Sequence, residues 1–386
     1  MHALTDLFTF QAPTQITFGT GALAQLGRVA APLGKRPLVV SDPGVAAAGI
    51  LQQVLDVLAP AVSHYDTFTE VEPNPSIETV EKAAAAYRRG DCDFVVAVGG
   101  GSVLDVGKTA PVLVAYGGGP RDYEGIGKVP GPIPPVVAVP TTAGTGSEVT
   151  ANTVITDHER RLKMVIISPH VLPTAAVCDP ALTLSLPQPL TAATGIDALV
   201  HGIECYTNTV THPLAKALAL ESIRLIGRHL RTAYASGRDL EARYHMLLAS
   251  TIAALAFTRT RLGNVHAMAL PLGAHFDVPH GVATGLLLPY VMEWNLIAAV
   301  ERHAHIAAAL GEAVEGLPPR EAALAAVEAV RQLNADIGIP ERLRDVGVTR
   351  DGIPAMTDDA MKSGNILVNP RLTRREDILS LFERAF

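Results

Sequence analysis

The chain has 386 residues, of which 48% are apolar and 18% charged, with a formal net charge of -7. This length exceeds one ordinary core and predicts two domains, while the apolar content excludes a disordered chain. The mild acidity gives no support for nucleic acid or an anionic membrane as a partner.

In chain order, Gln15–Phe18, Pro37–Ser41, Val62–Thr67, Asp93–Val98 and Pro135–Val139 read as strands. Between them Ala22–Pro32, Val45–Leu58, Ser76–Arg89 and Val103–Tyr116 read as helices. Strands alternating with helices predict a parallel sheet with right-handed crossovers. From Pro189 onward the character changes. Thr191–Tyr206, Pro213–Ala235, Leu240–Thr258, Val282–Gly311 and Arg320–Ile337 carry amphipathic helical patterns, with almost no strand candidates. Prolines cluster at Ser185–Pro189, so we expect an α/β nucleotide-binding domain over 1–187 and an all-α domain over 188–386.

No uninterrupted apolar run reaches the length of about 18 residues that a membrane helix needs. Met1–Phe10 carries Asp6 and no basic segment, unlike a secretory leader. Cys92, Cys178 and Cys205 form no CxxC pair, which argues against a disulfide framework or a cysteine zinc site. A reducing cytoplasm is the expected location.

The strand ending at Val98 runs directly into Gly99-Gly100-Gly101-Ser102 and then a helix. Glycines let the backbone approach a pyrophosphate, and the helix N-terminus supplies free N–H groups and partial positive charge. The spacing is not GxGxxG. It is not a P-loop either, because Ser102 stands where the first glycine before Gly107-Lys108-Thr109 belongs. A second loop, Pro140–Glu148, follows the next strand and is dense in small and hydroxyl residues. Asp42 ends another strand; it would either accept from a ribose hydroxyl and repel a 2′-phosphate, favouring NAD over NADP, or cap a helix.

Asp197 and His201 are four apart on a helical stretch and share a face. His266 and His280 lie in apolar, glycine-punctuated surroundings. One carboxylate and three imidazoles suit a divalent first-row metal with room for a substrate oxygen. His64, His158, His212, His303 and His305 read as surface or capping residues, and His275 is ambiguous.

Gly99-Gly100-Gly101-Ser102 with Asp105 and Lys108, the Thr141–Glu148 loop, Asp197-x-x-x-His201, His266, Pro279-His280-Gly281, and Asn369-Pro370-Arg371 followed by Glu376-Asp377-Ile378 together resemble the iron-containing (group III) alcohol dehydrogenases. The resemblance spans essentially the whole chain. It implies a Rossmann-like domain followed by a helical domain, the dehydroquinate synthase-like architecture, and a homodimer or larger oligomer. It implies Fe²⁺ or Zn²⁺ on Asp197, His201, His266 and His280. It implies NAD(P) contacts at Asp42, Gly99, Gly100, Gly101, Ser102, Asp105, Thr141, Thr142, Ser147, Lys163 and Leu182. Many members carry a further histidine four residues after the third ligand; here that position is Leu270, and His275 is the nearest substitute.

The expected reaction is hydride transfer between a nicotinamide and an alcohol/aldehyde pair. Arg259 and Arg261, just before His266, suit an anionic substrate such as a hydroxy acid and its semialdehyde. The alternatives are a maleylacetate reductase-like or other related reductase, or a non-catalytic protein that binds NAD and metal.

Overall fold

The computed structural model describes residues 7–160, 162–258 and 260–386. Among the described residues the strands are β1 (Gln15–Phe18), β2 (Pro37–Val40), β3 (Asp66–Phe68), β4 (Phe94–Gly99), β5 (Gly125–Ile126), β6 (Val136–Pro140), β7 (Asn152–Asp157), β8 (Leu162–Ile167) and β9 (Ala175–Cys178). The helices of the first part are α1 (Leu26–Ala30), α2 (Pro43–Ala47), α3 (Ile50–Leu58), α4 (Ile77–Arg89) and α5 (Gly101–Tyr116). Those of the second are α6 (Gln188–Thr207), α7 (Pro213–Ala235), α8 (Leu240–Phe257), α9 (Asn264–Phe276), α10 (His280–Asn295), α11 (Val300–Leu310), α12 (Pro319–Asp336), α13 (Ile353–Ala360) and α14 (Arg375–Ala385).

Six strands make one parallel sheet in the order β1-β9-β6-β4-β2-β3. Successive strand side chains point to opposite faces, and both faces are buried. Leu38, Val40, Val95, Ala97, Val136 and Ala138 pack under α4 and α5 with Val80, Ala83 and Leu104. Val39, Val96, Val98, Val137 and Val139 face the other way, onto Leu26, Ile50, Val54 and Leu58 of α1 and α3. The Rossmann-like sheet followed by helices is therefore the architecture expected. Beyond Cys178 no strand occurs among the described residues.

Local assignments differ at several places: the strand read at Val62–Thr67 is β3 at Asp66–Phe68, the helix read at Ala22–Pro32 is α-helical only over Leu26–Ala30, and β9, α13 and α14 had no counterpart in the sequence reading. The stretch read as one helix over Val45–Leu58 is two, because Gly49 adopts φ 74° between α2 and α3. Val282–Gly311 likewise divides into α10 and α11 around Ala299, whose φ/ψ of -145°/38° is not helical. The hairpin of β7 and β8, with β5 beside β8, was not foreseen. On β7 the buried positions are Thr153, Ile155 and Asp157, so two of the three inward residues are polar and hide the strand period. The segment around His266 is the helix α9, although Pro271 and Gly273 lie within it; tertiary packing outweighs their poor helix propensity.

Candidate active site

Because β2, β4 and β6 are adjacent and parallel, the turns after them meet at one edge of the sheet. Asp42 stands after β2. Its Oδ1 accepts from Val45 N at 2.9 Å and caps α2, as the helix-cap reading required. Gly99 ends β4, and Gly100 is the N-cap of α5 with no side chain bonded to the first turn. The first-turn N–H groups of α5 therefore take no side-chain cap, at the C-terminal ends of the parallel strands. The glycine turn presses against the threonine loop. A Cβ on Gly101 would come within 2.6 Å of Thr145 Cγ2. Thr141 N–H donates to Gly99 O at 3.0 Å.

Lys108 fixes the two loops to each other. It is fully buried on α5, and its Nζ donates to Ser147 Oγ at 2.9 Å, Ser147 O at 3.0 Å and Asn152 O at 2.6 Å. Burial pushes its pKa down to about 8, against the opposing pull of Asp105 and Glu148. Asp105 accepts from Ser147 Oγ at 2.7 Å and from Val154 N at 2.9 Å. The side chains of Asp105 and Ser147, both expected at the cofactor, are thus bonded to each other. Leu182 is buried in the core that holds Val98 and Val177.

Asp197 and His201 occupy one face of α6, His266 the first turn of α9 and His280 the first residue of α10. The three helices converge on Asp197. Its Oδ1 lies 3.6 Å from His266 Nε2 and 3.6 Å from His280 Nε2; its Oδ2 lies 3.8 Å from His201 Nε2. Donor atoms of Asp197, His201 and His266 all fall within 4.8 Å of one another. Ligands about 2.0–2.1 Å from a tetrahedral ion stand roughly 3.4 Å apart, so the 3.6–3.8 Å distances from Asp197 are near those of ligands on one cation, while His280 lies outside the three-residue group. His266 Nε2 is buried with no hydrogen-bond partner, as an open ligand position requires. The approach of α10 to α6 depends on Gly281, where a Cβ would lie 2.0 Å from Ala193 O.

The electrostatics suit the same use. Burial pushes His201 down to about 4 and His280 down to about 3, so both imidazoles are neutral near pH 7. Burial opposes ionisation of Asp197, but His201, His280 and His266 hold its carboxyl below the usual range. Burial also opposes protonation of His266, yet the Glu204 carboxylate raises it above the ordinary value. Two further groups are missing from the sequence reading. Glu204 accepts from His266 at 2.6 Å, and Thr284 Oγ1 donates to Asp197 Oδ1 at 3.0 Å. Glu204 lies one helical turn past His201, which was a legible clue; Thr284 left none.

A cavity of about 500 Å³ opens between β8 and the end of α9, lined by Asn74, Lys163, Gly273, His275 and Asp277 among others. Lys163 Nζ donates to Asn74 Oδ1 at 2.9 Å, and its charge acts on His280. His275 is five residues past Leu270, about 140° round the helix. Its Nε2 pairs with Asp359 Oδ2 at 2.6 Å, so it does not stand in for a histidine at 270. Arg261 is exposed between α8 and α9 at φ 71°, and its carbonyl accepts from Asn208 Nδ2 at 2.9 Å. Arg259 lies outside the described residues. His303, expected at the surface, is buried with Nδ1 2.9 Å from Ala299 O, because α11 turns that face inward. The Asn369-Pro370-Arg371 segment is a clamp: Asn369 Oδ1 accepts from Asn295 Nδ2 at 3.0 Å and Asn264 N at 3.4 Å, holding the start of α9.

Residues 13–180 match the model of the iron-containing alcohol dehydrogenases, and residues 191–386 match that of the C-terminal part of the same family. The 1,3-propanediol dehydrogenase of Klebsiella pneumoniae is 43% identical over 383 residues, 98% of this chain and 99% of that one. A crystal structure of 1,3-propanediol oxidoreductase superposes with a TM-score of 0.96 at 43% identity, covering 99% of this chain and 100% of the other. Sulfoacetaldehyde reductase from Bifidobacterium kashiwanohense, in complex with NAD+, superposes with a TM-score of 0.87 at 31% identity, covering 98% and 99%. No helix among the described residues is long and apolar enough to cross a membrane.

Proposed function

This chain belongs to the iron-containing alcohol dehydrogenase family and is a metal-dependent alcohol dehydrogenase or aldehyde reductase; we propose that Asp197, His201, His266 and His280 hold its metal. The observation that carries this reading is the convergence of three Nε2 atoms on one buried carboxylate, with His266 Nε2 left without a partner. When bound, a divalent cation supplies Lewis-acid polarisation of the alcohol or carbonyl oxygen, and the nicotinamide supplies or accepts the hydride.

The remaining work falls to the protein's own groups. The free N–H groups at the start of α5 and the Gly99–Ser102 backbone bind the pyrophosphate. Thr141 and Thr142 line the adjoining edge, and Lys108, Asp105 and Ser147 fix that loop against α5. Thr284 orients the Asp197 carboxylate. Leu270, one turn past His266, offers an apolar side chain where a proton carrier would have to titrate. Asp42 favours NAD over NADP by repelling a 2′-phosphate from the end of β2.

The metal is Fe²⁺ or Zn²⁺, both of which accept this oxygen and nitrogen donor set. The substrate is a small alcohol or its aldehyde. A second reading, a hydroxy acid and its semialdehyde, is favoured by the exposed cation Arg261 five residues before His266. We propose a cytoplasmic homo-oligomer; three free buried cysteines are consistent with a reducing compartment. The decisive test is NADH oxidation with neutral and acidic aldehydes by metal-stripped protein, with and without added Fe²⁺ or Zn²⁺. D197N and H280A should lose both bound metal and turnover. Full turnover in stripped protein, or in either variant, would reject the assignment.

A further inference from the structure

We infer that Glu204 is a positioning residue that fixes the His266 ring and the start of α9 in one act, and thereby sets how tightly the metal is held. The inference rests on reading Asp197, His201, His266 and His280 as the ligand set.

Glu204 continues the face of α6 that carries Asp197 and His201, but both of its oxygens are already used. Oε1 accepts from Val265 N at 2.6 Å, and Oε2 accepts from His266 Nδ1 at 2.6 Å. It is 5% exposed, so each bond is a charge-assisted one in a dry setting. The carboxylate therefore acts on a ligand instead of being one. A proton held on Nδ1 leaves the Nε2 lone pair free, and that atom is the one 3.6 Å from Asp197 Oδ1 without a partner of its own.

The bond to Val265 has a second consequence. The N-cap of α9 is Gly263, which has no side chain to satisfy the first-turn N–H groups. Glu204 supplies the acceptor from another helix and places negative charge at the positive end of α9. Gly263 leaves room for this arrangement: a Cβ there would lie 2.8 Å from Glu204 Oε1 and 3.3 Å from Asn369 Oδ1, so the carboxylate would have to shift. One carboxylate thus ties ring orientation to helix position, across 61 and 62 residues of sequence, beside the Asn369 Oδ1 bond to Asn264 N.

The test compares metal-stripped wild type, E204Q, G263A, N369A and H280A. Zn²⁺ affinity is measured against a competing chelator, the Co²⁺-substituted proteins by visible absorption, and NADH affinity alongside. E204Q should bind Zn²⁺ on the order of 10–100-fold more weakly, with a shifted Co²⁺ band and unchanged NADH affinity. G263A, which displaces the carboxylate without removing it, should weaken Zn²⁺ binding while N369A, which removes the Asn369 bond to Asn264 N and keeps the Glu204 carboxylate, should not; this pair decides the matter should E204Q fail to fold. Wild-type Zn²⁺ affinity and spectrum in a folded E204Q, or in G263A where E204Q does not fold, overturn the inference. If H280A also binds Zn²⁺ normally, the ligand set itself is wrong; if H280A loses Zn²⁺ while E204Q keeps it, only the role of Glu204 falls.

Discussion

Lys108 Nζ lies 2.9 Å from Ser147 Oγ, and that contact joins the helix after the glycine turn to the loop after the next strand. The cation is fully buried and its nearest acid, Asp105, is 3.9 Å away. The two loops therefore hold one spacing because a buried charge has no other place to find its acceptors.

Lys108→Met should accordingly destabilise the fold by about 3–5 kcal/mol, the usual effect of removing one member of a buried charged pair. NADH affinity should fall as well, because the threonine loop loses its tether. Thermal melts and NADH titration check both. An unchanged melting temperature would show that the tether is dispensable.

Acidification should destabilise the metal-free protein between about pH 6.5 and pH 4. His201 and His280 have folded pKa values near 4 and 3, below the unfolded 6.5. Within that window the unfolded chain binds more protons, so stability is lost as pH falls. His266 is shifted the other way and offsets part of the slope: its contribution is present at low pH and lost as pH rises through its folded pKa. Melting of stripped protein from pH 7.5 to pH 4.5 reads the slope. H280Q, which removes one of the two depressed groups, should flatten it.

Asp42→Ser separates the two roles of that residue. Serine caps a helix about as well as aspartate, so α2 should keep its stability. Removal of the charge should raise kcat/KM with NADPH by about tenfold or more, each decade corresponding to about 1.4 kcal/mol. Unchanged cofactor discrimination would mean that Asp42 is a cap alone.

Arg261→Ala tests the anionic-substrate reading. KM for acidic aldehydes should rise on the order of tenfold while neutral aldehydes are spared, since a surface-exposed charge contributes about 1 kcal/mol or a little more to a bound carboxylate. An equal effect on both classes excludes substrate recognition by Arg261.

Several parts of the site were legible along the chain. The glycine run after Val98, the hydroxyl-rich loop after Val139, and the four-residue spacing of Asp197 and His201 are local patterns, and local backbone geometry fixes what they do. The helices from α6 to α8 were legible as long alanine- and leucine-rich stretches free of strand signals, although α6 is buried on nearly every face. The β7–β8 hairpin was not, because its inward face carries Thr153 and Asp157. Asp157 is buried there with its charge met by Arg121 Nε at 2.7 Å and Arg160 Nε at 2.6 Å.

The sequence by itself therefore determined the alternation of strands and helices up to Val139, the helical character after Pro189, the loop chemistry after β4 and β6 and the four candidate ligands. Tertiary structure alone decided that His266 is held by Glu204, that Asp197 takes a bond from Thr284, and that His275 turns to Asp359. Those partners are 62, 87 and 84 residues apart in the chain. No periodicity spans such separations. They are fixed when helices pack closely enough that every buried polar atom must find a partner within hydrogen-bonding reach.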